Sequence, residues 1–144
     1  MKKIYLSSFW FWFVLLILAI INGIIRDATY KPFLEPYIGN RAHQLSSITG
    51  ILLFFCAIYL FLKYIKVDYT KHDLWNIGVM WLIMTIIFEF VFGYYVRDSS
   101  WNEMIEAYYF WKGELWIFVL ISVVIIPQIC FKIIKRCRIL WFSR

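Results

Sequence analysis

The chain has 144 residues, of which 63% are A, V, I, L, M, F, W, Y or C and 22% are aromatic, with a net charge of +6. Soluble domains run at about 45–50% apolar on a similar count, and one this small has too little interior to hide so many apolar side chains. The aromatic content excludes a disordered chain, and the mean hydropathy of +0.72 points to a bilayer as the solvent.

A membrane-spanning helix needs about 20 mainly apolar residues. Four stretches qualify: residues 7–25, 45–62, 74–96 and 115–131. Their apolar runs are continuous, as in FWFWFVLLILAII, which excludes the alternating pattern of a transmembrane barrel. The expected fold is all-α, a four-transmembrane-helix bundle forming one integral membrane domain over residues 1–144. The first stretch is read as a retained helix, because Asn22-Gly23-Ile24 is a poor match to a signal-peptide cleavage site.

Ten of the fifteen basic residues, among them Lys2, Lys3, Lys63, Lys66, Lys71 and the tail KIIKRCRILWFSR, fall on one side of these spans. That side holds two acids, Asp68 and Asp73, whereas the other has five basic and six acidic residues. The positive-inside rule places both termini in the cytoplasm. The basic tail is then a juxtamembrane segment facing anionic lipid. No RNA-recognition module accompanies the charge, so nucleic acid is not an expected partner.

The three cysteines, Cys56, Cys130 and Cys137, lie in or below the spans and form no C-x-x-C pair. Neither a structural disulfide nor a metal site is expected, and no cofactor is called for.

The first outer connection contains Pro32, Pro36 and Gly39-Asn40 and reads as helix-poor. The short polar connection from Lys63 to Asp73 is expected to make the second and third spans antiparallel neighbours. In the second outer connection, Ser100-x-x-Glu103 is a capping-box pattern, with Trp101, Met104, Ile105 and Tyr108 following at helical spacing. This predicts a short amphipathic helix over 101–112, lying on the membrane surface or on the top of the bundle. In the fourth span, Pro127 is expected to kink or end the helix near its inner end, with Ser122 available to repair the gap or to pack against a neighbour.

Polar residues within the spans are the candidate site. An ionisable side chain in a bilayer costs about 2.5–3.5 kcal/mol on insertion scales, so Glu89 in WLIMTIIFEFVFGYYV is read as functional. Gly78, Thr85, Glu89 and Gly93 form a small or polar seam on the third helix. Ala19, Asn22, Gly23 and Arg26 form another on the first. On the second, His43, Ser46 or Ser47, Gly50 and Ala57 share a face, with Gln44 beside them. An Arg26–Glu89 ion pair is expected, within an outward-facing pocket lined by Asn22, Arg26, His43, Gln44, Glu89, Tyr94 and Tyr95.

The strings NGIIRD, AHQLS and EFVFGYYV, followed by SW and GELW, resemble a group of small bacterial four-helix integral membrane proteins. That resemblance implies the topology and brings no activity, substrate or site residue. Small multidrug transporters also have four short helices and a membrane glutamate, but theirs lies in the first helix.

Three functions fit these residues. The first is binding or transport of a small polar or ionic ligand, with Glu89 exchanging a proton and a dimer supplying the path. The second is a structural or accessory subunit of a membrane complex, in which the polar residues hold helices together. The third is an enzyme acting on a lipid or isoprenoid headgroup, with His43 and Glu89 as acid and base and Arg26 on phosphate. No nucleophile set, aspartate-rich motif or HExxH supports the third.

Overall fold

The structure is a computed structural model that describes residues 3–30, 32–33, 37, 41–96, 100–106 and 116–142. Helix α1 spans Lys3–Ile25 and continues into a π-helical turn, Arg26–Tyr30. Helix α2 spans Arg41–Tyr64, α3 Lys71–Tyr95, α4 Trp101–Glu106 and α5 Trp116–Phe142. The described residues contain no strand. Four of the helices are long and apolar enough to cross a membrane.

Each expected span is present, and three of the four helices start ahead of their apolar run. The largest extension is at the other end of α5. Hydropathy falls at Phe131, but the helix runs on to Phe142. Lysine and arginine are good helix formers, so a basic segment does not stop a helix that is already nucleated. Nor does Pro127 end it. The proline removes one bond, to the Val123 carbonyl, while its ring is fully buried against neighbouring helices. Ser122 does not repair that gap: its hydroxyl donates to the Val119 carbonyl at 2.6 Å.

The start of α3 shows how sequence sets a boundary. Thr70 is extended (φ −106°, ψ 168°) and its hydroxyl accepts from the Asp73 N–H. The Asp73 carboxyl accepts in return from the Thr70 N–H at 2.9 Å, a complete capping box.

The helices alternate in direction. Helix α5 packs extensively on both α2 and α3, and α1 also contacts both. The order around the bundle is therefore α1, α2, α5, α3, and α2 and α3 sit diagonally across it. This corrects the expectation that the short connection makes them neighbours. Six residues, Ile65–Thr70, join them. Such a segment reaches about 20 Å when extended, more than the diagonal of a bundle with 8–10 Å between adjacent axes. The connection is fixed by Tyr69, whose hydroxyl donates to the Leu62 carbonyl at 3.0 Å and whose ring meets Phe131 of α5.

Helices α3 and α5 approach closely at Gly78. A β-carbon added to Gly78 would lie 2.9 Å from the Val124 Cα and 3.0 Å from its carbonyl oxygen. Glycine removes that obstacle and lets the two backbones meet, as small residues do between membrane helices. Trp81, Ile58, Leu74, Ile77 and Ile4 fill the core. Trp10, Leu52 and Ile87 are each more than half exposed and give the outside of the bundle an apolar coat.

Candidate functional site

Two side-chain bonds set the axial register of α1 against α3. The Trp12 indole N–H donates to Thr85 Oγ1 at 3.1 Å, and the Trp81 indole N–H donates to the Ser8 carbonyl at 2.8 Å. Both partners are 73 residues apart, and the two helices run parallel. Glu89 is then level with Leu16, and Arg26 lies ten residues further along. At 1.5 Å per residue that is about 15 Å, beyond the reach of an arginine side chain.

The expected Arg26–Glu89 pair is accordingly not formed. The Arg26 guanidinium pairs with its chain neighbour Asp27, with Nε to Oδ1 at 3.0 Å and the second nitrogen to Oδ2 at 3.2 Å. The π-helical turn carries both residues to the rim of the bundle, where the aspartate is half exposed. Such a pair at a wet surface contributes little to stability. Glu89 is partly buried on α3 and is not left without a partner.

Asn22 closes on α2. Its amide nitrogen donates to the Ser46 carbonyl at 3.0 Å and to the Ser46 hydroxyl at 3.2 Å. Thr49 Oγ1 lies 3.0 Å from both the Asn22 side-chain oxygen and the Ser46 carbonyl and donates to one of them. A β-carbon on Gly50 would stand 3.2 Å from the Asn22 amide nitrogen, so the glycine makes room for the knot. The seams read on the first two helices do meet, at Asn22, Ser46 and Gly50. Ser46 is buried, and both hydrogens of the Asn22 amide are used within the bundle.

Tyr94 and Tyr95 end α3 and are exposed, with rings 5.0 Å apart in an edge-to-face pair. The Trp101 ring of α4 lies 5.9 Å from both Phe90 and Tyr94. Of the two placements considered for this short helix, these contacts favour packing on the end of α3. Residues 107–112 of the expected amphipathic helix lie outside the described residues. Gln44 is partly buried on α2, and the side chain of His43 lies outside the described set.

The structure therefore brings Asn22 together with Ser46 and Thr49, while Arg26 and Glu89 stand apart along the bundle axis. A cavity of about 30 Å³ does exist between the helices, but deeper in. Its walls are Trp12, Leu15, Phe54, Trp116 and Val123, with Thr85 as a polar group. It is about the size needed for a single water. Thr85 donates to the Trp81 carbonyl at 2.8 Å and accepts from Trp12, so its oxygen is already paired. No group of three or more potential metal-ligating side chains occurs among the described residues.

Two polar features escaped the sequence reading. At the other end of the bundle, Asp73 is 4% exposed. Beyond its capping box it accepts from the Tyr5 hydroxyl at 3.0 Å and from the Thr70 hydroxyl at 2.7 Å, and Asn76 donates to Tyr5 at 3.2 Å. The string Thr70-x-x-Asp73 signals the cap, but nothing local signals Tyr5, which arrives from α1. The second feature is Gln128, buried beside Pro127, whose amide atoms have no hydrogen-bond partner among the described residues.

Compared with known proteins, the chain matches no family model, no curated protein and no solved structure.

Proposed function

We propose that this chain is a four-pass protein of a bacterial inner membrane, with both termini in the cytoplasm, and that it serves as an accessory subunit acting through its surfaces. The four long apolar helices and their exposed aliphatic faces support membrane placement. The asymmetry of basic residues supports the orientation. One observation carries the accessory role: the polar side chains on the facing surfaces of α1 and α2 are bonded to one another. Asn22 is tied to Ser46 and Thr49, and such bonds between membrane helices serve mainly to hold them together.

A photo-crosslinking amino acid placed at Trp10, Ile17, Leu52, Ile87 and Ile121 samples the apolar faces of the four long helices in the intact membrane. The expected result is a single membrane protein captured in stoichiometric yield from one face only. Lipid adducts alone from every face would refute the accessory role.

Binding or transport of a small ionic ligand remains a second reading, favoured by the partly buried carboxylate of Glu89 on α3. In proteoliposomes, Glu89→Gln is then expected to abolish ligand-dependent proton movement. Unchanged proton movement in that variant would dispose of it.

A further inference from the structure

The fold gathers basic residues that are distant in sequence at one end of the bundle. Lys3 begins α1, Lys63 closes α2, Lys66 lies in the connection and Lys71 begins α3; all four are exposed. Helix α5 adds Lys132, Lys135 and Arg136, also exposed. Among the described residues at this end, Asp68 is the exposed acid, because Asp73 is buried within its cap and its bond from Tyr5. The charged groups exposed at this end among the described residues are therefore seven cations and Asp68.

The cations of α5 also have a particular placement. The contact of Phe131 with Tyr69 marks the level at which the connection crosses the bundle. Lys132–Phe142 extends past that level as eleven further helical residues, about 16 Å. The whole helix is about 40 Å long, against a hydrocarbon core of about 30 Å. Its basic part therefore stands at headgroup depth and beyond as an ordered helix. Nearby, the Lys63 ammonium lies 5.8 Å from the Tyr59 ring centroid and 5.6 Å from that of Tyr64. Tyrosine beside lysine is the composition that favours the polar boundary of a bilayer.

We propose that this end is a binding surface for anionic phospholipid headgroups, with the α5 extension as its main contact and Lys63, Lys66 and Lys71 completing a collar. The chemistry is attraction of phosphate-bearing, net-negative headgroups by several cations at low-dielectric depth, where screening by salt is weaker than in bulk water. This rests on the membrane placement proposed above.

Native mass spectrometry of the full chain in detergent micelles tests it, titrating dioleoyl phosphatidylglycerol against dioleoyl phosphatidylcholine. The wild-type chain is expected to bind the first phosphatidylglycerol at least about fivefold more tightly, with the ratio falling as salt rises. Lys132→Gln, Lys135→Gln and Arg136→Gln combined should bring the ratio close to one, whereas Lys31→Gln with Lys112→Gln should leave it unchanged. A ratio near one in the wild type, a preference the triple variant keeps, or displacement of the lipid by a short single-stranded RNA would each overturn the proposal. Carbonate extraction of membranes and helix content by circular dichroism accompany each variant. Release of the wild-type chain by carbonate would refute membrane placement and the lipid surface together. A membrane-retained, helical protein without headgroup preference would refute the lipid surface alone.

Discussion

Replacing Gly78 with alanine tests the close contact between α3 and α5. The added methyl carbon would stand 2.9 Å from a backbone carbon of α5 and 3.0 Å from a carbonyl oxygen. Ordinary contacts of this kind are about 3.5–4.0 Å, so α3 and α5 must part by several tenths of an ångström. The obstacle is backbone, which has no rotamer to change. Overpacking of this sort costs about 1–3 kcal/mol, while alanine recovers up to about 1 kcal/mol of helix propensity over glycine. The net expectation is a loss of about 1–2 kcal/mol. Gly23 is the control within the same molecule, because nothing lies within 4 Å of the carbon that would be added there. Gly23→Ala should therefore be neutral or stabilising by up to about 1 kcal/mol. Both variants are read by unfolding in mixed micelles of increasing dodecyl sulfate content, followed by circular dichroism. If Gly78→Ala matched or exceeded the stability of Gly23→Ala, the packing of α3 against α5 described above would be wrong.

Four further outcomes follow from the geometry. Asn22→Ala removes the bonds from α1 to Ser46 and Thr49 and should cost about 0.6 kcal/mol and at most about 1.7 kcal/mol in the same unfolding assay, the average and upper value for hydrogen bonds between membrane helices; no loss would mean the knot is not formed. A double-mutant cycle of Arg26→Gln with Glu89→Gln should show additivity within about 0.5 kcal/mol, since the two groups lie far apart along the bundle; coupling well above that would restore the ion pair. Tyr5→Phe deletes the hydroxyl that donates to buried Asp73 and should cost about 1–2 kcal/mol, with faster hydrogen exchange confined to the first turns of α3; unchanged exchange there would count against the network. Gln128→Leu replaces a buried amide that none of the described residues pairs and should stabilise the bundle by about 1–3 kcal/mol; a clear loss of stability would show that the amide has a bonding partner.

The helices were legible in the sequence because a bilayer demands long apolar runs, and such runs leave little ambiguity. The α1–α2 contact was legible too, since Asn22 and Gly50 each sit in a small or polar stripe that only another helix can cover. What local pattern could not supply was axial register. The bonds from Trp12 to Thr85 and from Trp81 to Ser8 fix how far α1 slides along α3, and they separate Arg26 from Glu89. Helical spacing identifies which residues share a face but says nothing about their height against another helix. The diagonal placement of α2 and α3 was hidden for a related reason: six residues are long enough to reach either a neighbouring or a diagonal helix. The full length of α5 was not legible, because hydropathy reports where an apolar run ends, which is not where hydrogen bonding ends. The burial of Asp73 depends on Tyr5, 68 residues away.

The two ends of the bundle treat their polar groups in opposite ways, and this difference bears on how such a small chain could act. At the end holding Asn22, donors and acceptors are matched across α1 and α2, and Arg26 is paired with Asp27. Among the described residues there, these matched groups contribute cohesion between α1 and α2. At the other end the acid is drawn inward to Thr70 and Tyr5, while the cations stay exposed. The exposed cations set up a surface field, which decays over about 8–10 Å at physiological salt. A phospholipid headgroup layer at that end, as proposed above, would lie within that distance. Among the described residues the polar groups thus serve cohesion at one end and present exposed positive charge at the other, and that contrast is what the proposed role at the membrane surface draws on.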